Sequence, residues 1–243
     1  MENLPRHLFD SEYYCKNNPD VEKAGVDTYE HYFQYGVKEG RLASLNYKEL
    51  NLDQLRGIYY HTIQDDYELP PEQRLPFYLK SDIILHLPVL EYYASKCSHI
   101  TELGVRHGHS TIAFLYSLPE HGKLESYDIE ETLFVTWLKS KNLAKWEFHK
   151  QNTADPALKI TETDFIFFDT LHSYEQLSKE LVLHADKSSK FLAFHDTFSC
   201  RTVCNEDKSK EGIKRAIDEY MNSHKCKVVY QTDLCNGLLV LEK

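Results

Sequence analysis

Past residue 98 the chain alternates short apolar runs with amphipathic stretches. Runs at 99–103, 123–127, 146–149, 163–168 and 190–195 read as strands, and stretches at about 110–118, 130–143 and 173–187 read as helices. Alternation of this kind argues for right-handed βαβ units and a doubly wound, mostly parallel α/β sheet. The tail adds a helix in KSKEGIKRAIDEYMNS and two strands, CKVVYQT and GLLVLEK. Asn236-Gly237 between them suits a tight turn, so the last strand is expected antiparallel to its neighbour.

The first hundred residues follow a different pattern. In FDSEYYCKNNPDVEKAGVDTYEHYFQYGVKEGRLASL, residues 9–45, Asp10 or Ser11 caps a short helix that stops near the proline of NNP. A second helix starts at Asp27 or Thr28 and puts Tyr29, Tyr32, Phe33 and Val37 on one stripe before the breakers Gly36 and Gly40. From 50 to 95 the reading is mostly helical, interrupted by ELPPEQRLP at 68–76. The expected organisation is a small helical module over 1–48, a helical lead-in over 49–97 and the α/β domain over 98–243.

Charge and composition narrow the function. With 28 basic against 38 acidic residues the formal charge is -10, which argues against nucleic acid as a partner. No apolar run reaches the roughly 20 residues of a membrane span. The N-terminus lacks the regions of a signal peptide, so a cytoplasmic protein without membrane insertion is expected. The six cysteines form no CxxC pair and are expected as reduced thiols; Cys200 and Cys204 lack partner ligands at zinc-finger spacing.

The candidate chemistry lies at strand ends, where ligands of open α/β sheets bind. In HITELGVRHGHSTIAFL, Gly104 lets the chain turn after the first strand and Gly108 lets the backbone approach a ligand. The next helix offers free N–H groups, with Ser110 near its start. Asp128 ends the second strand, where an acid can accept from ribose hydroxyls. Dinucleotide folds want GxGxxG; this chain has ExGxxxGxS, and Glu102 would repel a pyrophosphate while suiting an ammonium or sulfonium ligand. The fourth strand ends in DFIFFDTLHSYEQL and the fifth in FLAFHDTF. Ser173 with Gln176 makes a capping box, so Asp169, His172, His195 and Asp196 should converge on one edge. A neutral His172 imidazole can take a proton from a hydroxyl, and carboxylates with a histidine can hold a divalent ion. His107 and His109 read as surface or turn residues.

Glu102, Gly104 and Gly108 with Asp128 downstream resemble the cofactor motifs of class I S-adenosylmethionine-dependent methyltransferases, over about residues 80–243. The resemblance implies a seven-stranded Rossmann-like sheet with the last strand antiparallel and S-adenosylmethionine as cofactor. It places Asn152 and Thr153 of QNTADP on the adenine side. The polar strand ends are similar to the catechol-type and the sugar or antibiotic O-methyltransferases, including the cephalosporin hydroxylase-like group. By that likeness Asp169, His195 and Asp196 bind Mg2+, and Asp169, His172 and His195 serve catalysis. His172 stands where the catechol-type enzymes carry a lysine. The N-terminal stretch resembles a helical module found beside bacterial glycosyltransferases, which suggests a glycan context. The expected activity is O-methylation of a sugar, glycan or small hydroxylated metabolite, with a homo-oligomer among the expected assemblies. The competing expectation is a catalytically silent cofactor-binding or interaction protein; an NAD-linked oxidoreductase lacks the glycine spacing.

Overall fold

The computed structural model describes residues 9, 11–36, 39, 56 and 83–243. The chain divides into two compact units, Met1–Ser81 and Asp82–Lys243.

In the first unit, α1 (Ser11–Asn17), α2 (Pro19–Ala24) and α3 (Thr28–His31) are followed by a π-helical turn over Tyr32–Gly36. Pro19 ends one helix and opens the next, because at a first helical position its missing N–H is not needed. The first helix ends near the proline as expected, and α2 is a further helix that the sequence reading lacks. Asp27 caps α3 by accepting from the backbone N–H groups of Tyr29 and Glu30, both at 3.0 Å. Tyr14, Val21, Tyr29, Tyr32 and Phe33 form a small buried core. Phe9 adds ring contacts at 5.3 Å to Tyr14 and 5.4 Å to Tyr29. Val37, Gly40 and the breaker at 68–76 lie outside the described residues.

The second unit is a seven-stranded sheet of order β3-β2-β1-β4-β5-β7-β6. Its strands are β1 (His99–Leu103), β2 (Lys123–Asp128), β3 (Trp146–Lys150), β4 (Thr163–Phe168), β5 (Ser188–His195), β6 (Lys227–Thr232) and β7 (Leu238–Glu242). The first five pair in parallel, and β7 runs antiparallel to both β5 and β6. Five helices accompany them: α4 (Leu87–Ala94), α5 (His109–Ser117), α6 (Leu133–Ser140), α7 (Tyr174–His184) and α8 (Lys214–Ser223).

Runs such as FIFF are apolar throughout because both faces of the sheet are covered. On one face α7 and α8 bring Leu177, Leu181, Ile213 and Ile217 onto Leu103, Ile166, Phe168 and Leu192. On the other, Phe114 of α5 meets Phe165 and Phe167, both at 5.6 Å, and Tyr93 of α4 meets Phe191 at 5.1 Å. No helix among the described residues is long and apolar enough to cross a membrane.

Three local expectations change. The helix read from KSKEG begins only at Lys214, after an irregular segment with a bridge between Val203 and Glu211. The link between β6 and β7 is a five-residue loop, with Cys235, Asn236 and Gly237 all at positive φ, rather than a two-residue turn. Ser173 Oγ accepts from the Gln176 backbone at 3.3 Å, but the Gln176 side chain turns away to Glu180 at 2.8 Å. A buried carboxylate acceptor wins the amide, so only half of the capping box forms.

Candidate active site

The turn after β1 is built from its acids and glycines. The Glu102 carboxylate, fully buried, accepts from Ser110 Oγ (2.6 Å), Thr111 Oγ1 (2.9 Å) and Ser126 Oγ (2.6 Å). It thereby ties the first turn of α5 to β1 and β2, and Ser110 is engaged in that tie. Asp128 Oδ2 accepts from the N–H groups of Val105 (2.8 Å) and Arg106 (3.1 Å), and Oδ1 accepts from Glu130 N–H at 3.0 Å. An ionised carboxylate has about four acceptor positions, so one remains.

Gly104, at φ +96, abuts β4: a Cβ there would lie 1.9 Å from the Asp169 carbonyl oxygen. Gly108, at φ +74, has the Phe134 ring of α6 where a Cβ would stand. At the exit of β3, Asn152 Oδ1 accepts from Ala154 N–H at 3.0 Å, while Thr153 is buried and donates to Glu180 Oε1 at 2.5 Å.

Burial pushes the Glu102 carboxyl from its ordinary 4.5 up to about 7, against the three hydroxyl donors. An acid raised in the fold opposes folding once it ionises. The effect is absent below pH 4.5, grows with pH and is complete above 7, on the order of 3 kcal/mol in all. Wild-type stability is therefore expected to fall between about pH 5 and pH 8 by more than that of Glu102→Gln. Denaturant titrations of both at three pH values check this; parallel pH profiles refute it.

Asp169, His172, His195 and Asp196 do meet, at the carboxyl ends of β4 and β5. His172 Nε2 lies 3.1 Å from Asp169 Oδ1 and 3.1 Å from Asp196 Oδ2. His195 Nδ1 lies 3.1 Å from Asp169 Oδ1 and 3.5 Å from Asp196 Oδ2. Asp196 sits at φ +58, a costly conformation for a residue with a Cβ, and Ser199 Oγ donates to its Oδ1 at 2.5 Å. Burial works against the charge of Asp169, yet His195 and His172 outweigh it and hold the carboxyl well below the usual range. Burial likewise disfavours a charged His172, and Asp169, Glu206 and Asp196 overcome it, raising the ring well above 6.5. These surroundings favour the protonated ring, whereas the sequence reading expects a neutral base.

Several participants carry no signal in the sequence pattern. Glu206, from the irregular segment before α8, lies 2.8 Å from His172 Nδ1, which holds its own carboxyl down at about 2. His86 Nε2 and His195 Nε2 face one carbonyl, that of Cys235, at 3.0 and 3.3 Å. Burial, then His195, lowers His86 to about 4. Glu180, fully buried, accepts from Thr153, Thr170 and Gln176 and links the β3 exit to the β4 exit. His109, read as a surface or turn residue, is half-buried at the start of α5. Burial, then His107 and Arg106, lower it to about 3 against the pull of Asp169.

The four converging side chains each offer one ligand atom within 4.8 Å of the others. Both imidazoles have their second nitrogen on an oxygen, Glu206 for His172 and Cys235 for His195, the arrangement that orients metal-binding histidines. Two of the four donors are nitrogens. Mg2+ takes oxygen ligands, so the donor set does not support the magnesium expectation and suits an ion that accepts imidazole, such as Zn2+ or Fe2+.

The sheet order and the reversed last strand define the class of fold: a Rossmann-like sheet shared with methyltransferase structures, with polar residues gathered at the ends of β1, β4 and β5. Residues 101–197, from within β1 to just past Asp196, match the family model for a methyltransferase domain. An O-methyltransferase from Bacillus cereus in complex with SAH aligns with a TM-score of 0.51 at 14% identity, over 76% of this chain and 90% of its own. Cofactor-bound Rv0187 from MTB gives 0.51 at 14%, over 77% and 89%. The N-methyltransferase NodS from Bradyrhizobium japonicum WM9 gives 0.50 at 12%, over 68% and 96%. At these identities the likeness is one of fold, and it spans enzymes that methylate oxygen and nitrogen. No curated protein matches the chain in sequence.

Proposed function

We propose that the chain transfers a methyl group from S-adenosylmethionine to a hydroxyl of a sugar, glycan or small hydroxylated metabolite, in the cytoplasm. The observation that carries the reading is the packing of the Gly104 turn against Asp169, whose carboxylate also meets His172 and His195. A cofactor turn and a charged acceptor site then share one wall. Asp128 keeps an acceptor position for a ribose hydroxyl, and Asn152 and Thr153 shape the adenine side of the β3 exit. Glu102 acts by setting the turn and the first residues of α5, Ser110 among them.

When bound, the cofactor supplies a methyl group on a positive sulfur, open to in-line attack. Asp169 and Asp196 orient the acceptor hydroxyl, and the Asp196 carboxylate takes its proton as the O–CH3 bond forms and the C–S bond breaks, while His172 places positive charge beside the oxygen. Glu206 fixes the ring through Nδ1, and His195 positions Asp169. A divalent ion that tolerates imidazole would be held by Asp169, His195 and Asp196, with His172 joining only after giving up its proton, and would supply Lewis-acid lowering of the acceptor pKa in place of the His172 charge. The preference for an oxygen acceptor of the glycan type is supported by the likeness of the N-terminal stretch to modules beside glycosyltransferases.

Calorimetry with S-adenosylhomocysteine on the full chain, followed by labelled methyl transfer from S-adenosylmethionine to a panel of hydroxylated acceptors, tests this. Saturable binding that weakens in Asp128→Ala, with labelled O-methyl product, is the expected result. Absence of binding overturns the cofactor reading. Binding with no transfer to any acceptor class favours the silent cofactor-binding protein.

A further inference from the structure

A second cluster lies on the sheet face that carries α7, toward the amino end of β1 and away from the active site. Glu125 of β2 pairs in register with Glu147 of β3, and His149 follows two residues later on the same face. His149 Nε2 is 3.7 Å from Glu125 Oε1 and 3.7 Å from Glu147 Oε1. That nitrogen is buried and has no hydrogen-bond partner among the described residues. Thr101, register partner of Glu125 on β1 and fully buried, also leaves its Oγ1 without one. Orphaned buried polar atoms are rare and call for a missing partner.

The surroundings are those of a ligand sphere. Ligand atoms about 2.0–2.2 Å from a tetrahedral Zn2+ stand roughly 3.3–3.6 Å apart, close to the spacing here. Tyr127 stacks on the His149 ring at 4.6 Å and fixes its plane. The other oxygen of Glu125 lies 2.7 Å from His99 Nε2 and accepts from Thr161 Oγ1 at 2.6 Å, while His99 Nδ1 reaches the Glu162 carbonyl at 2.8 Å. A carboxylate anchored in this way is oriented for coordination. Lys123 Nζ lies 2.9 Å from Glu125 Oε1. It supplies the positive charge there, and with 45% of its side chain exposed it is free to withdraw into water.

We propose that Glu125, Glu147 and His149 form a site for a divalent ion of the Zn2+ class, with His99 and Thr161 as outer partners, clasping the edge strand β3 to β2. Two carboxylates and one imidazole leave a fourth position for water. The site is independent of methyl transfer.

Chelator-treated full chain carrying Asp169→Asn, Asp196→Asn and Glu206→Gln, which disables the active-site cluster and the neighbouring His172–Cys200–Glu206 group, is titrated calorimetrically with ZnCl2. One equivalent is expected. Its affinity should fall by about 100-fold or more in His149→Ala, by about tenfold in Glu147→Gln, and rise in Lys123→Ala as the competing ammonium is removed. Glu147 is 56% exposed, so its variant keeps the fold and the test stands if His149→Ala misfolds. Zn2+ should also raise the melting temperature of the parent and not of the His149 variant. No bound equivalent, or one indifferent to both Glu147→Gln and His149→Ala, overturns the proposal.

Discussion

Gly104→Ala is expected to lower stability on the order of 3 kcal/mol and turnover about 100-fold. The new methyl group has nowhere to go. At φ +96 any Cβ is strained, and here it would lie 1.9 Å from a backbone oxygen and 2.6 Å from the Asp169 carbonyl carbon, neither the end of a flexible side chain. Either the turn or the end of β4 must move, and Asp169 holds His172 and His195 at 3.1 Å each. Gly108→Ala is the comparison: its Cβ meets the tip of the Phe134 ring, which can swing aside, so stability should fall less and the Asp169 geometry should survive. Denaturant unfolding and turnover of both variants give the answer. Wild-type values for Gly104→Ala would show that turn and β4 do not touch.

His172→Ala should reduce kcat by a factor of about 100 to 10,000 while S-adenosylhomocysteine still binds. The ring lies among Asp169, Asp196 and Glu206, and without it three carboxylates face one another with no cation between them. Breaking a buried charge cluster is destabilising by about 3–5 kcal/mol, so melting curves must accompany the kinetics. His172→Lys separates the two effects, because it restores the positive charge without the imidazole. Partial recovery of kcat in the lysine variant is the signature of charge placed beside the acceptor oxygen; unchanged turnover in His172→Ala dismisses the residue from the reaction.

Much of the frame was legible along the chain. The strands at 99–103 and 163–168 match the structure to the residue, because both faces of the sheet are covered and the apolar runs end where the backbone leaves cover. The same rule put Asp169 and Asp196 at strand ends, and Ser173 announced its own helix through a cap. Gly104 was readable as a turn residue, but the reason no side chain fits there, the Asp169 carbonyl, was not. Gly108 was readable as a position without room for a side chain, but the Phe134 ring that fills the room was not.

What the order of residues determined by itself is the sheet, its reversed last strand and the polar tips of β4 and β5, since period and capping act over a few neighbours and need no distant partner. The tertiary structure alone decided the ring of acids around His172 that favours its charged form, the tie of Glu102 to three hydroxyls, and the meeting of His86 with Cys235 across 149 positions. Protonation and burial depend on which groups the folded chain crowds together, and the strength of a charge interaction follows that proximity and the loss of water, whatever the separation in sequence.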